Sequence, residues 1–262
     1  MSYQPDELLI CVIARLLEAD PAVRHVAVGA ASPVPGSAVL LCREVTGGRP
    51  RASIIHGETN NPFTDGAREI FDCAGQGRID VFFLGGVQID GQANINLVGT
   101  TGAGGYPDID RRFPGSFGSA YMYFVVPKVI LFRPEHSRRV FVDQVDFISA
   151  PGVSDPDVHR PGGPKFLVTE LCLMSFRADK KRFCLNSVHP GHSVEEVRDN
   201  TGFDFDVPET VRETPAPEPD RLDLLRTRIG HEIGTTYPAF AARVFGVEPQ
   251  TMETTAMEVE AS

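Results

Sequence analysis

Short apolar runs separated by polar and glycine-rich loops dominate the pattern of this chain. Such runs, bounded by turn residues, predict strands of a sheet that is covered on both faces. They lie at His25–Val28, Ala52–Ile55, Val81–Leu84 and Lys128–Phe132. Apolar residues at helical spacing predict helices from Asp6 to about Asp20, from a cap at Ser37 through Leu41, and from Ala67 to about Gly75. Alternating strands and helices favour an α/β fold.

The second half of the chain has a mixed pattern. Residues 119–126 are aromatic-rich and fit either a helix or a strand. Ser193 and Glu196 have the spacing of a capping box at the start of a helix. Further strands are predicted at Val140–Ile148, Phe166–Phe176 and Arg182–Val188, and a last helix from Asp220 through Ile229. We expect one domain over residues 1–248 and a disordered acidic tail over residues 249–262.

The stretch from Ile79 to Asn96 is the centre of the pattern. The apolar run ends at Gly85-Gly86, where the backbone is free to turn or to approach a ligand closely. Asp90-Gly91 predicts a tight hairpin, whose returning strand contains Asn96. We therefore expect Gly85, Gly86 and Asn96 to lie near a bound ligand.

Two more glycine-rich loops follow, at Gly102–Gly105 and Phe113–Gly118. Three such loops so close together exceed what turns alone require, so some are predicted to present backbone N–H groups to a ligand. The candidates in the last loop are Gly115, Ser116, Phe117 and Gly118.

A polar cluster follows the strand that ends at Ile55. His56 and Glu58 are both capable of acid–base chemistry, and ligand sites in open α/β sheets gather at the carboxyl ends of strands. The alternative is a plain turn before Pro62. The small-residue loop from Gly29 to Gly36 also has two interpretations. It is either an anion-binding site at the start of a helix or an ordinary connection between a strand and a helix.

Composition excludes several classes of function. The formal net charge is −10, which disfavours binding to nucleic acid or to an anionic membrane. No apolar run is long enough to cross a bilayer, and we expect no membrane association. The five cysteines are scattered without a Cys-x-x-Cys pair, so neither a disulfide framework nor a metal site is predicted. His189 and His192 fit a loop before a capped helix better than a metal site. A reducing cytoplasm is the expected setting.

Several stretches together resemble the β subunit of class I coenzyme A (CoA) transferases, within the glutaconate CoA-transferase branch. The matching segments are Phe83–Asn96, Arg112–Gly118, Val142–Gly152, His189–Gly191, Val194–Val197 and Thr201–Phe203. They follow the order of the family over about residues 7–205. Within the family, the segments are most similar to a branch that opens a ring by hydrolysis during steroid breakdown.

The resemblance implies an open three-layer α/β/α sheet of the CoA-transferase (NagB/RpiA-like) type. It also implies an α subunit as partner, in an α2β2 heterotetramer, and a CoA thioester derived late in cholesterol C and D ring catabolism. No cofactor is expected, because coenzyme A is part of the substrate. The main carboxylate base is expected on either this chain or the α subunit. Surface for that partner is expected on the apolar first helix and on the aromatic run Tyr121, Tyr123 and Phe124.

The chain departs from the family pattern where transferases carry a nucleophilic Glu. His56 occupies that position, and Glu58 follows two residues later. Glu58 would share the strand face only if the strand continued that far. Phe117 also replaces a small residue of the family. We therefore expect C–C bond hydrolysis. The alternatives are a CoA transferase with Glu58 as nucleophile, or a subunit with a structural or ligand-sensing role.

Overall fold

The computed structural model describes residues 2–64, 66–102 and 104–247, and they form a layered α/β structure around an eight-stranded sheet. The sheet order is β12-β11-β10-β9-β8-β3-β1-β2, and two further strand pairs, β4–β5 and β6–β7, lie outside it. The strands are β1 (His25–Val28), β2 (Arg51–Ile54), β3 (Val81–Leu84), β4 (Gln88–Ile89), β5 (Ile95–Asn96), β6 (Gly99–Thr101), β7 (Ile109–Arg112), β8 (Lys128–Phe132), β9 (Pro164–Val168), β10 (Cys172–Arg177), β11 (Arg182–Val188) and β12 (Arg212–Glu213).

The central strands are parallel and buried on both faces. β1 pairs in parallel with β2 and β3, and β3 pairs in parallel with β8. Successive side chains of a strand point to opposite faces. Val26 and Val28 accordingly pack into one apolar cluster, whereas Ala27 packs into the other. Two buried faces explain why these strands read as continuous apolar runs.

Helices cover both faces of the sheet. The helices are α1 (Pro5–Glu18), α2 (Pro33–Val45), α3 (Gly66–Gly75), α4 (Ser119–Val125), α5 (Val194–Asn200), α6 (Pro219–Leu224), α7 (Gly230–Gly234) and α8 (Pro238–Phe245), with a π-helical turn at Leu225–Ile229. Buried residues of α1, α2 and the carboxyl-terminal helices share one cluster, and those of α3 and α4 belong to the other. The predicted open α/β/α architecture is confirmed.

The carboxyl-terminal helices are fastened to α1 by ion pairs. The Glu7 carboxylate is fully buried and accepts from Arg226 Nε at 2.7 Å. Glu18 accepts from Arg221 Nη1 at 2.6 Å. The prediction that the apolar face of the first helix offers surface to a partner is wrong. That face packs against α2 and the carboxyl-terminal helices of the same chain.

Local hydrogen bonds explain the elements that were predicted correctly. β4 and β5 pair as an antiparallel hairpin, and the Asp90 carboxylate accepts from the amides of Gln92 and Asn94 at its turn. The Ser193 hydroxyl accepts from the Glu196 amide at 3.1 Å and caps α5. Residues 119–126, which fitted either element, form the helix α4.

Four predicted elements differ in the structure. α2 begins at Pro33, because two early prolines suit a first helical turn, and Ser37 is buried inside the helix. Residues 140–148 form a loop that pairs with β4 only at Phe141.

The predicted strand Phe166–Phe176 is two antiparallel strands, because the Thr169 hydroxyl accepts from the amides of Leu171 and Cys172 and makes a turn. The last helix continues past Ile229 as α7, and α8 was not predicted. The predicted tail of residues 249–262 lies outside the described residues.

Candidate active site

The parallel strands β2, β1 and β3 end at the same edge of the sheet. The chain leaves β1 toward β2 on one side, while β3 pairs on the other side. Loops that follow adjacent strands therefore diverge here and open a crevice, which is where open α/β sheets bind ligands. A cavity of 440 Å³ occupies this position.

The wall of the cavity is mostly apolar. Its side opposite the strand ends comes from α3, from α4 and from the loop before α4. The lining residues are Gly29, Ala30, Ser32, Ile55, His56, Ile70, Phe71, Phe82, Phe83, Leu84, Gly85, Ser116, Phe117, Gly118, Ser119 and Met122. Among these lining residues, His56 is the one titratable side chain, and no carboxylate is present.

His56 lies at the rim of the cavity, directly after β2. Its backbone has a φ of 64°, a left-handed conformation that is uncommon for residues other than glycine. His56 lies inside a tight turn, which the Gly57 amide closes by donating to the Ile54 carbonyl at 2.9 Å. His56 is exposed, so its imidazole is accessible to a ligand in the cavity.

Glu58 does not line this cavity, although its sequence position made it a candidate. The strand ends at Ile54, whose amide donates to the Asn60 carbonyl at 2.8 Å, so residues 55–59 form a closed turn. Asn60 anchors this turn by donating to Glu232 at 2.8 Å. The alternation that would put Glu58 on the face of the nucleophile is therefore broken. Its carboxylate is exposed outside the cavity.

The loop before α4 brings backbone donors to the cavity. No hydrogen bond within the described part of the chain uses the amides of Ser116, Phe117 or Gly118. The Gly115 amide, in contrast, donates to the Leu97 carbonyl at 3.0 Å. Gly115 is thus not a free donor, contrary to the prediction, and its φ of 99° explains the glycine.

The residues predicted around β3 and β5 divide between the cavity and its surroundings. Gly85 lines the cavity, and a side chain there would meet the Phe132 carbonyl at 2.8 Å. Gly86 lines a neighbouring cavity of 400 Å³ instead. Asn96 is fully buried, and its side chain donates to Gln88 and to the Gly99 carbonyl. Asn96 therefore holds the hairpin together and does not line this cavity.

Sequence reasoning missed the helical side of the site. Ile70 and Phe71 of α3 and Met122 of α4 line the cavity, but the sequence pattern indicates them only as apolar positions of their elements. In the sequence, Gly118 was the feature that could have indicated the role of Phe71 in the site. A Cβ atom there would lie 2.0 Å from Cζ of Phe71, so the glycine lets this ring enter the site.

The two histidines before α5, buried His189 and partly exposed His192, do not line the cavity and have structural partners. His189 bonds to the Thr214 hydroxyl at 2.8 Å, and His192 pairs with Glu196 at 2.9 Å. Within residues 2–64, 66–102 and 104–247, no group of three or more side chains is arranged to hold a metal ion. Over the same residues, no helix has both the length and the apolarity that a membrane span needs.

Comparison with known families shows to which family this chain belongs. The profile of the family described as Coenzyme A transferase matches residues 9–200. This chain belongs to the coenzyme A transferase family. The resemblance noted from the sequence is therefore confirmed.

Curated relatives of this CoA-transferase family chain include enzymes with different named activities. The chain is 38% identical over 156 residues to a 3-oxoadipate CoA-transferase subunit of Pseudomonas knackmussii, covering 57% of this chain and 58% of that protein. It is 29% identical over 164 residues to the cholesterol ring-cleaving hydrolase IpdB subunit of Rhodococcus jostii, covering 61% and 62%. The matched segment thus spans less than two thirds of either relative.

Solved structures agree on the fold. Glutaconate coenzyme A-transferase from Acidaminococcus fermentans superposes with a TM-score of 0.73 at 23% identity, covering 86% of this chain and 94% of that chain. At this level of identity the similarity concerns the fold, and functions vary widely within one fold.

Proposed function

We propose that this chain is the β subunit of a two-subunit enzyme that hydrolyses a C–C bond in a ring of a CoA thioester, late in steroid (cholesterol C and D ring) breakdown. The relationship to the ring-cleaving hydrolase subunit supports the substrate class. The largely apolar cavity at the strand ends supports an apolar acyl group.

Among the described residues that line the cavity there is no carboxylate, and this observation carries the choice of hydrolysis. Transfer of CoA through an acyl-enzyme needs a carboxylate that attacks the thioester carbonyl. His56 occupies the strand end, and the closed turn holds Glu58 outside the cavity. Attack by water does not need that nucleophile.

The proposed reaction uses the groups that surround the cavity. A carboxylate of the partner subunit takes a proton from water, and the resulting hydroxide adds to a ring ketone. The bond between the ketone carbon and the carbon next to the thioester then breaks. The electron pair is delocalised into the thioester carbonyl until the carbon is protonated. The products are a new carboxylate and an intact CoA ester.

Two features of this chain contribute to the proposed hydrolysis. The unbonded amides of Ser116, Phe117 and Gly118 are the donors for a developing oxyanion. In this proposal His56, which lines the cavity, orients the water or returns the proton to carbon. No cofactor is required, since each bond change uses only water and protons.

An α subunit completes the proposed site. Relatives of this chain are named as subunits, and general base catalysis needs a group held within hydrogen-bond reach of the water. The α2β2 assembly and a cytoplasmic location are part of this proposal. Five free cysteines suit a reducing compartment, and the net charge of −10 does not suit nucleic acid.

CoA transfer through Glu58 is the second candidate. The 38% identity to a transferase subunit favours it, being higher than the 29% identity to the hydrolase subunit. For this chemistry the turn after β2 would have to open and bring the Glu58 carboxylate into the cavity. A covalent intermediate on that residue would distinguish the two candidates.

The test uses the complex co-expressed with an α subunit from the same genome. The complex is incubated with candidate CoA esters, treated with hydroxylamine or borohydride, digested and analysed by mass spectrometry. We expect no adduct on the peptide that contains Glu58. An acyl-glutamyl adduct there, together with CoA transfer to a free acid, would establish the transferase instead.

Two matched variants sharpen the comparison. Glu58→Gln should leave turnover within about threefold of the unmodified complex, because the residue lies outside the cavity. His56→Gln should lower turnover on the order of a hundredfold, the usual contribution of a positioned acid–base group. The reverse ranking of the two variants would favour Glu58 as nucleophile.

A further inference from the structure

One side of the cavity forms an apolar recess, which we name the acyl lobe and define by Ile55, Ile70, Phe71, Phe117 and Met122. Ile70 and Met122 are almost fully buried and form a fixed floor. The rings of Phe71 and Phe117 have centroids 5.8 Å apart and form one wall. A recess with a rigid apolar floor and an aromatic wall suits a compact hydrocarbon group.

Phe117 is the unusual member of this lobe. Its side chain is 87% exposed, and its φ of 44° lies in the left-handed region. Backbone strain at a residue other than glycine costs free energy, and exposure of an aromatic ring contributes no burial in return. Both costs are offset if a ligand covers the ring. Strained residues concentrate at sites where their geometry serves binding.

The glycine beside Phe117 maintains the aromatic wall. A Cβ atom at Gly118 would overlap Phe71, so this position keeps the two rings together. Tyr121 packs edge-on against Phe71 from the other side, with centroids 5.9 Å apart. The wall is therefore positioned before any ligand arrives.

The lobe also lacks a group that would pair with a carboxylate. Within residues 2–64, 66–102 and 104–247, no lysine or arginine lines the cavity, and the titratable side chain that does, His56, follows β2. Burying a carboxylate in apolar surroundings without a partner is strongly unfavourable. An acyl group with a terminal carboxylate is thus a poor ligand for this recess.

We infer that the acyl lobe binds an uncharged ring of the acyl group and that Phe117 is the specificity-determining residue. This inference rests on the proposed function for the CoA thioester, and it adds which part of the thioester the chain selects. The ring stacks against Phe71 and Phe117, while the thioester carbonyl faces the amides of the same loop. The 3-oxoadipate relative is named for a linear dicarboxylate, which this lobe would disfavour.

Calorimetric titration of the two-subunit complex tests the inference with three probes. Cyclohexanecarbonyl-CoA carries an uncharged ring, glutaryl-CoA carries a short chain with a carboxylate, and CoA alone gives the baseline. We expect the ring ester to bind at least about tenfold more tightly than glutaryl-CoA. The ring ester gains a contact with the aromatic wall, whereas glutaryl-CoA buries a carboxylate without a partner.

Substitutions at Phe117 assign the selectivity to this residue. Phe117→Ala should weaken binding of the ring ester about tenfold and leave glutaryl-CoA within about twofold. Phe117→Arg should tighten binding of glutaryl-CoA, because it supplies a cation at the lobe. Tyr106→Ala is the matched control, since Tyr106 is also an exposed aromatic residue but does not line the cavity, and it should change neither affinity.

The outcomes separate this inference from the proposed function. The role of the lobe would be overturned if the two esters bound with equal affinity, or if Phe117→Ala weakened the binding of both esters equally. Either result would leave a CoA-ester site in place. Dissociation of the subunits in Phe117→Ala, measured by light scattering, would assign the ring to the interface and also overturn it. Failure of CoA and both esters to bind the intact complex would reject the proposed function itself.

Discussion

Buried histidines should make the stability of this protein depend on pH. Burial lowers the pKa of His25, and it lowers the pKa values of His136 and His189 furthest. His136 bonds to the hydroxyls of Thr169 and Thr201 at 2.8 and 2.9 Å, and His189 bonds to the Thr214 hydroxyl and the Thr169 carbonyl at 2.8 and 2.9 Å. Both rings are almost completely buried. Burial disfavours the imidazolium and lowers the pKa of each histidine from 6.5 to about 4.

The sign of the effect follows from these lowered pKa values. Above pH 6.5 the histidines are neutral in both the folded and the unfolded chain, so they add no pH dependence. Between 6.5 and about 4, the unfolded chain binds protons that the folded chain does not, and the free energy of unfolding falls as the pH falls. Linkage gives a loss of about 2 kcal/mol per histidine by about pH 5, or about 4 kcal/mol for the pair.

Urea denaturation followed by circular dichroism, at about pH 7.5 and about pH 5, measures this loss. His136→Asn should reduce the difference between the two conditions by about 2 kcal/mol, since one of the titrating groups is gone. His231→Asn is the control, because His231 is exposed, and it should keep the full difference. The reasoning is refuted if His136→Asn retains the full loss, or if the unsubstituted chain loses no stability over this interval.

Two further substitutions test the packing around α1 and around the cavity. Glu7→Gln should lower the free energy of unfolding by about 2 kcal/mol, because it breaks the buried pair with Arg226, whereas Asp6→Asn at an exposed pair should cost less than about 1 kcal/mol. Equal costs in urea denaturation would contradict this ranking. Gly118→Ala should displace Phe71 and weaken binding of cyclohexanecarbonyl-CoA at least about tenfold with circular dichroism unchanged, and unchanged affinity would show that the ring does not form the wall.

Local chemistry made part of the fold predictable. The run Val81–Leu84 is buried on both faces, so its composition alone indicated a central strand. Asp90 and Ser193 make hydrogen bonds to amides a few residues away, and such short-range bonds are encoded in neighbouring residues. These elements depend little on the rest of the chain.

Long-range contacts account for the errors. Residues 140–148 alternate like a strand, but they lie over the β4–β5 hairpin and pair with it at one residue. The helix α8 (Pro238–Phe245) packs on α7 and on the π-helical turn at Leu225–Ile229. Its proline start and the left-handed Gly246 at its end were signals in the sequence that the prediction did not use.

In the candidate site, too, the features that depend on neighbouring residues were predictable and those that depend on long-range contacts were not. The end of the strand before His56 was predicted to within one residue, at Ile55 instead of Ile54, because the end of an apolar run is a local feature. For Glu58 the sequence left two alternatives, a continued strand or a plain turn before Pro62, and the bond from the Ile54 amide to the Asn60 carbonyl shows the turn. Phe71 was missed because it reaches the cavity through its contact with Gly118, which lies far away in sequence.

The fate of solvent oxygen tests the central claim most directly. The two-subunit complex is incubated with its CoA ester in oxygen-18 water, and the products are analysed by mass spectrometry. Ring hydrolysis predicts one label in a newly formed carboxylate, with the CoA thioester retained in the same molecule. Release of free CoA with the label in the former thioester carboxyl group, or unlabelled transfer of CoA to an added carboxylic acid, would contradict the account.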